Sequence, residues 1–206
     1  MGLLISATTM ADVVLTKDNH VLLSGPVNDQ SVAQTAQKLG ELSVKSSAGS
    51  VIYLVLDTPG GSVMAGSQLA DFAKALPQKI KPICIFCAST GYILFQSFDE
   101  RLVQPSSTLM SHRASLSGAG GQIPGELITR INQLMSYLSE IDTKMAKRVG
   151  ISRQEYQALI YNELWLSGTE AVKTKHADKL EKIRCDKDLL TGYFIVTGKQ
   201  IGRAHV

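Results

Sequence analysis

Ser89 lies in Ala88-Ser-Thr-Gly91, directly after the apolar run Ile83-Cys-Ile-Phe86 and just ahead of the helical pattern Tyr92-Ile-Leu-Phe95. A second junction of the same kind occurs earlier, where the apolar strand Val51–Leu56 stops at Asp57-Thr-Pro-Gly-Gly-Ser62. Strand-to-helix junctions of this type put free backbone N–H groups, and any serine among them, at the edge of a sheet. One junction could supply a nucleophile and the other donors for a developing oxyanion, two of the three parts a serine hydrolase needs. The third is a base. His112 follows the apolar stretch Thr108-Leu-Met110, so it stands at a strand end, where an imidazole can take a serine proton and return it to a leaving amine. On position alone Ser89 reads more readily as a helix N-cap, and a lone histidine at a strand end is as often a surface residue. The two together favour the nucleophile–base reading.

The hydropathy pattern predicts a frame able to bring these groups together. Val13–Leu15 and Val21–Leu23, separated by Thr16–His20, predict a short β-hairpin with His20 at its turn. Asn28 or Asp29 caps a helix whose apolar positions are Val32, Ala36, Leu39 and Leu42. Val51–Leu56 is apolar throughout, as expected of a parallel strand covered on both faces. A helix through Val63, Leu69, Phe72 and Leu76 ends at Pro77, and Ile83–Phe86 is the next strand. Ser89–Phe95 is a short helix, followed by two short strands, Arg101–Val103 and Thr108–Met110. The alternation of strand and helix predicts a layered α/β domain, in which strand ends gather on one rim.

Ser115–Gly125 is a glycine-rich loop, and a long helix follows with Leu127, Ile131, Leu134, Leu138, Ile141 and Met145 at steps of three and four. So narrow a stripe suits helix-to-helix packing between subunits. Ser152-Arg-Gln-Glu155 and Ser167-Gly-Thr-Glu170 are capping boxes on either side of a short strand, Asn162–Leu166.

Composition narrows the function classes. A chain of 206 residues with 44% hydrophobic content suits one folded domain, here expected over residues 12–185. Its net charge is +3, with no dense basic stripe alternating with aromatics, which argues against nucleic-acid binding. No run reaches the ~20 apolar residues of a membrane span. Cys84 and Cys87 have CxxC spacing, but without a second pair they read as buried thiols, and no metal or cofactor is expected. Residues 1–11 read as a signal remnant or a frayed terminus, which leaves both a cytoplasmic and an exported (periplasmic) location open. Residues 186–199 read as a tail, and Gln200–Val206 as non-native sequence.

From Val21 to Asp178 the chain resembles the proteolytic-subunit family of the Clp protease, within the Clp protease/crotonase fold. The resemblance rests on motifs in the family's order: Val21–Asp29; Tyr53–Gly66 with its Gly-Gly turn; Ala88–Gly91; Met110-Ser-His112; Gly120-Gly-Gln122; and Trp165–Ala171 with Ala177-Asp178. It implies a serine endopeptidase acting on peptides or unfolded proteins, with Ser89 as nucleophile, His112 as base, and the N–H groups of Gly61 and Thr90 as oxyanion donors. The family's acid is an aspartate two residues before the aromatic, and this chain has Glu163 there; the rival is Asn162 orienting the histidine. Gly60 and the strip Gly118, Gly120, Gly121 and Gln122 resemble the elements that bind peptide as an added strand.

The resemblance also implies a homo-oligomer, in this family a ring, built through the long helix. The short stretch preceding the match does not support a ring ATPase partner. Two other readings remain: a catalytically silent scaffold subunit, and a crotonase-like acyl-CoA enzyme, which needs no Ser-His pair. A Ser-Lys dyad is disfavoured, because no lysine falls in a buried motif position that would depress its pKa.

Overall fold

The computed structural model describes residues 12–115 and 124–189. The expectations for residues 1–11, for the tail and C-terminus from 190 onward, and for Gly118, Gly120, Gly121 and Gln122 fall outside the described residues.

The central sheet runs in the order β2-β3-β4-β5-β6: β2 (His20–Ser24), β3 (Val51–Thr58), β4 (Lys79–Ala88), β5 (Leu102–Ser111) and β6 (Leu164–Ser167). The first four strands are parallel and β6 is antiparallel to β5. A two-residue strand, β7 (Lys179–Leu180), pairs with the early part of β5. Helices α1 (Asp29–Lys45), α2 (Val63–Lys74) and α3 (Thr90–Gln96) connect the strands, and α4 (Pro124–Val149), α5 (Arg153–Leu159) and α6 (Gly168–Lys173) follow.

Alternation along β3 shows how the layers divide. Ile52, Leu54 and Leu56 face the helices, in one core with Leu39, Leu69, Tyr92, Phe95 and Met145. Val55 faces the other way and packs with Val13, Leu15, Ile83, Leu102 and Leu189. Both faces are covered, which is why the strand carries almost no polar residue.

Three expectations are corrected. The N-terminal segments do not form a hairpin: β1 (Asp12–Leu15) pairs in parallel with β8 (Lys182–Cys185), whereas β2 pairs with β3. Between β1 and β2 the Asn19 side chain accepts from Thr16 N–H and donates to Val14 O, closing a turn that redirects the chain. The stretch read as two short strands is one strand, β5, irregular in its pairing between Val103 and Thr108. Cys84 and Cys87 are buried but are joined as a disulfide, with Cα atoms 5.8 Å apart. In regular β structure residues i and i+3 point to opposite faces. Here the register of β4 slips at Ile85, which is exposed, so one extra residue returns Cys84 and Cys87 to the same face.

α4 has 26 residues, about 39 Å at the helical rise. Ile141, Met145, Ala146 and Val149 bury its C-terminal half in the core, while Ile128, Ile131 and Met135 in the other half are exposed. The two capping boxes stand as expected, Ser152 with Glu155 and Ser167 with Glu170. Among the described residues no helix is long and apolar enough to cross a membrane.

Candidate active site

Parallel pairing brings the ends of β3, β4 and β5 to one edge, and each continues into a residue singled out above. β3 leads to Gly60 and Gly61, β4 to Ser89, and β5 to His112. Because β6 runs antiparallel to β5, with Leu164 opposite Ser111, its entry residue Glu163 arrives at the same rim.

Ser89 is not a conventional N-cap. Its backbone is at φ 54°, ψ −118°, and its side chain makes no capping hydrogen bond to α3. A non-glycine residue held there costs on the order of 1–3 kcal/mol, and persists only where its surroundings impose it. Two of those constraints are visible: Ser89 N–H donates to Met110 O at 2.9 Å, and Ser89 O accepts from Tyr92 and Ile93 N–H. The hydroxyl is thereby turned away from the helix and lies 2.8 Å from His112 Nε2.

The Gly60-Gly61 turn packs directly on this element. At φ 96° and 145° both glycines occupy backbone that side chains rarely adopt. A Cβ on Gly60 would fall 2.6 Å from Ser89 Cβ and 2.8 Å from Thr90 N; one on Gly61 would fall 2.3 Å from Val27 O. Thr90 Oγ1 donates to Gly61 O at 2.8 Å, tying the two junctions together. The N–H groups of Gly61 and Thr90 have no acceptor among the described residues, so both remain free to donate. By contrast Ser62 does cap, accepting from Ala65 N–H at the start of α2.

The carboxylate is placed differently from the sequence expectation. Continuing the β5–β6 register by one step sets Glu163 opposite His112, but the Glu163 carboxylate accepts from Trp165 Nε1 at 3.0 Å. Among the described residues neither Glu163 nor Asn162 bonds the imidazole, whose side-chain hydrogen bond is to Ser89. Glu163 is itself at φ 66°. Beside Gly61 lies a cavity of about 490 Å³, whose apolar wall includes Val63, Met64, Leu134, Met135 and Leu138.

Comparison with known proteins identifies the family. The model of the Clp protease family matches residues 6–183. The chain belongs to the Clp protease family. Its α/β architecture is accordingly the Clp protease/crotonase-like fold. Among its relatives are the ATP-dependent Clp protease proteolytic subunits of Streptococcus pneumoniae strains JJA and TIGR4. Each is 25% identical over 169 residues, which cover 81% of this chain and 86% of the relative.

Motifs alone do not reveal the polar groups buried behind the candidate site. Tyr92, Tyr156 and His176 are all buried and hydrogen-bonded, and Trp165 holds the candidate acid. Tyr92 and Tyr156 sit at helix positions that periodicity assigns to the core. Their hydroxyls, each requiring a partner once buried, were the available signal.

Proposed function

We propose that this chain is a serine endopeptidase that hydrolyses peptides or unfolded proteins through an acyl-enzyme. Family membership supports a Clp-like peptidase, and the single observation that carries the finer reading is the 2.8 Å contact between Ser89 Oγ and His112 Nε2. In the proposed cycle His112 Nε2 takes the hydroxyl proton as Ser89 Oγ attacks the scissile carbonyl carbon. The N–H groups of Gly61 and Thr90 stabilise the oxyanion. The imidazolium then protonates the leaving amine, and a water activated by the same imidazole hydrolyses the ester and restores Ser89. Glu163 is the proposed partner of the imidazolium, and it takes up that role by leaving Trp165.

The peptide would lie along Gly60 and the strip Gly118–Gln122 as an added strand. The apolar cavity beside Gly61 would receive the side chain preceding the scissile bond, favouring large apolar residues. The exposed half of α4 would build a homo-oligomeric ring. The relatives bear the name of ATP-dependent enzymes; a ring ATPase partner is not part of the present proposal.

A second reading, a catalytically silent subunit, draws on one observation: Glu163 is bonded to Trp165 and not to His112. Fluorogenic peptides with leucine or methionine before the scissile bond separate the two. Turnover that Ser89→Ala and His112→Ala both abolish supports the peptidase; a pure protein without turnover supports the silent subunit.

A further inference from the structure

Behind the candidate site lie two buried hydrogen-bonded pairs. Ser111 Oγ meets Tyr156 OH at 2.8 Å, and Tyr92 OH meets His176 Nδ1 at 2.6 Å. None of the four residues is more than 3% exposed. The second pair is tied down in turn: Gln96 Nε2 donates to His176 O at 2.7 Å, and Arg101 donates to Gln96 Oε1. The Arg101 guanidinium is itself held by Asp178.

Each pair adjoins an element that carries a reacting group. Ser111 ends β5 and is the residue immediately before His112; Tyr92 belongs to α3, three residues after Ser89. Tyr156 is on α5, so its bond to Ser111 fastens the end of β5 to that helix. Among the described residues no acid bonds the imidazole, so its placement falls on the backbone at the end of β5. A displacement of about 1 Å at a reacting group can lower a rate about a hundredfold.

We propose that Tyr156 is a positioning residue: its hydroxyl, bonded to Ser111 Oγ, ties the end of β5 to α5 so that His112 stays within reach of Ser89. This rests on the serine-peptidase reading and adds a residue to it. Each hydroxyl has one proton to donate and lone pairs to accept, so the two partners of a pair orient one another. Both phenols keep their protons over the working range. Burial pushes the Tyr156 phenol up to about 12 and the Tyr92 phenol well above its ordinary value. Burial, then the nearby Arg101 charge, pulls His176 down to about 4, so at neutral pH its ring offers one donor and one acceptor.

The test uses the whole chain and the variants Tyr156→Phe and Ser111→Ala, with Ser43→Ala as a control that removes a hydrogen bond to Gln78 elsewhere in the fold. Saturating fluorophosphonate kinetics separates the acylation rate from the apparent binding constant, and the His112 imidazole resonances, assigned with His112→Ala, report placement directly. Tyr156→Phe is expected to slow acylation about tenfold or more with binding unchanged and to move the His112 resonances; pairing it with Ser111→Ala adds less than the product of the two. The control changes neither readout. Acylation within a few-fold of wild type and unmoved resonances in Tyr156→Phe overturn the proposal; should that variant fail to fold, Ser111→Ala decides by the same criteria. Wild-type protein that is not acylated at all refutes the peptidase reading instead, and the resonances then decide the positioning role alone.

Discussion

Trp165 Nε1 donates to Glu163 Oε2 at 3.0 Å, so the carboxylate that the β5–β6 register sets opposite His112 is engaged by an indole two residues away. If Glu163 serves the imidazole during turnover, this bond competes with that role. Glu163→Gln should then lower kcat about a hundredfold or more, because the imidazolium loses its counter-charge, while Trp165→Phe should leave kcat unchanged or raise it. Steady-state peptide hydrolysis checks both. A Glu163→Gln rate within a few-fold of wild type removes Glu163 from the triad.

The Gly60-Gly61 turn admits no side chain. Gly60→Ala would set a methyl group against Ser89 Cβ and the Thr90 amide, displacing the nucleophile and one proposed oxyanion donor together. The expected result is loss of acylation by two or more orders of magnitude, with stability reduced by about 1–3 kcal/mol from the strained backbone. Gly125→Ala, where a Cβ meets nothing within 4 Å, should keep full activity. Denaturant melts beside probe kinetics separate the two effects.

Stability should fall on the acid side through His176. Its folded pKa, about 4, lies below the ordinary value of 6.5. The folded state therefore binds fewer protons than the unfolded chain, and the contribution is complete above pH 6.5 and lost as pH falls from there toward 4. The loss over that window is on the order of 3 kcal/mol. His176→Gln should flatten this part of the stability–pH profile, measured by urea unfolding from pH 7 to pH 4. An unchanged slope would show that His176 is not its source.

Where the sequence was readable, physical necessity left few alternatives. A buried strand between two layers must be apolar throughout, so β3 and β4 were evident, and the residues that end them followed. Pairing partners were less evident: Val13–Leu15 and Val21–Leu23 alternate as a hairpin would, and nothing local reveals that β1 instead meets β8. The Cys84–Cys87 bond escaped because it depends on the slip at Ile85, which breaks the rule of alternating faces. Ser89 was located by its junction, but its positive φ and its turn toward His112 are set by Met110 and by the Gly60 turn, both distant in sequence.

The exposed half of α4 makes a prediction about assembly. Ile128, Ile131 and Met135 lie on solvent in a helix whose other half is core. Burying such side chains against another copy contributes about 1.5–3 kcal/mol each, and a charge placed there removes that gain. Light scattering should show an oligomer for the wild-type chain and a smaller species for Met135→Glu with its circular dichroism preserved. A wild-type monomer at micromolar concentration contradicts self-association through this helix.

The central claim is that the Ser89 hydroxyl, 2.8 Å from His112 Nε2, is a nucleophile. Covalent labelling with a fluorophosphonate, followed by mass-spectrometric mapping of the adduct, tests it most directly. The account predicts one adduct per chain on Ser89, absent in Ser89→Ala and formed slower by orders of magnitude in His112→Ala. An adduct on another residue, labelling that survives Ser89→Ala, or no adduct on folded protein would contradict it.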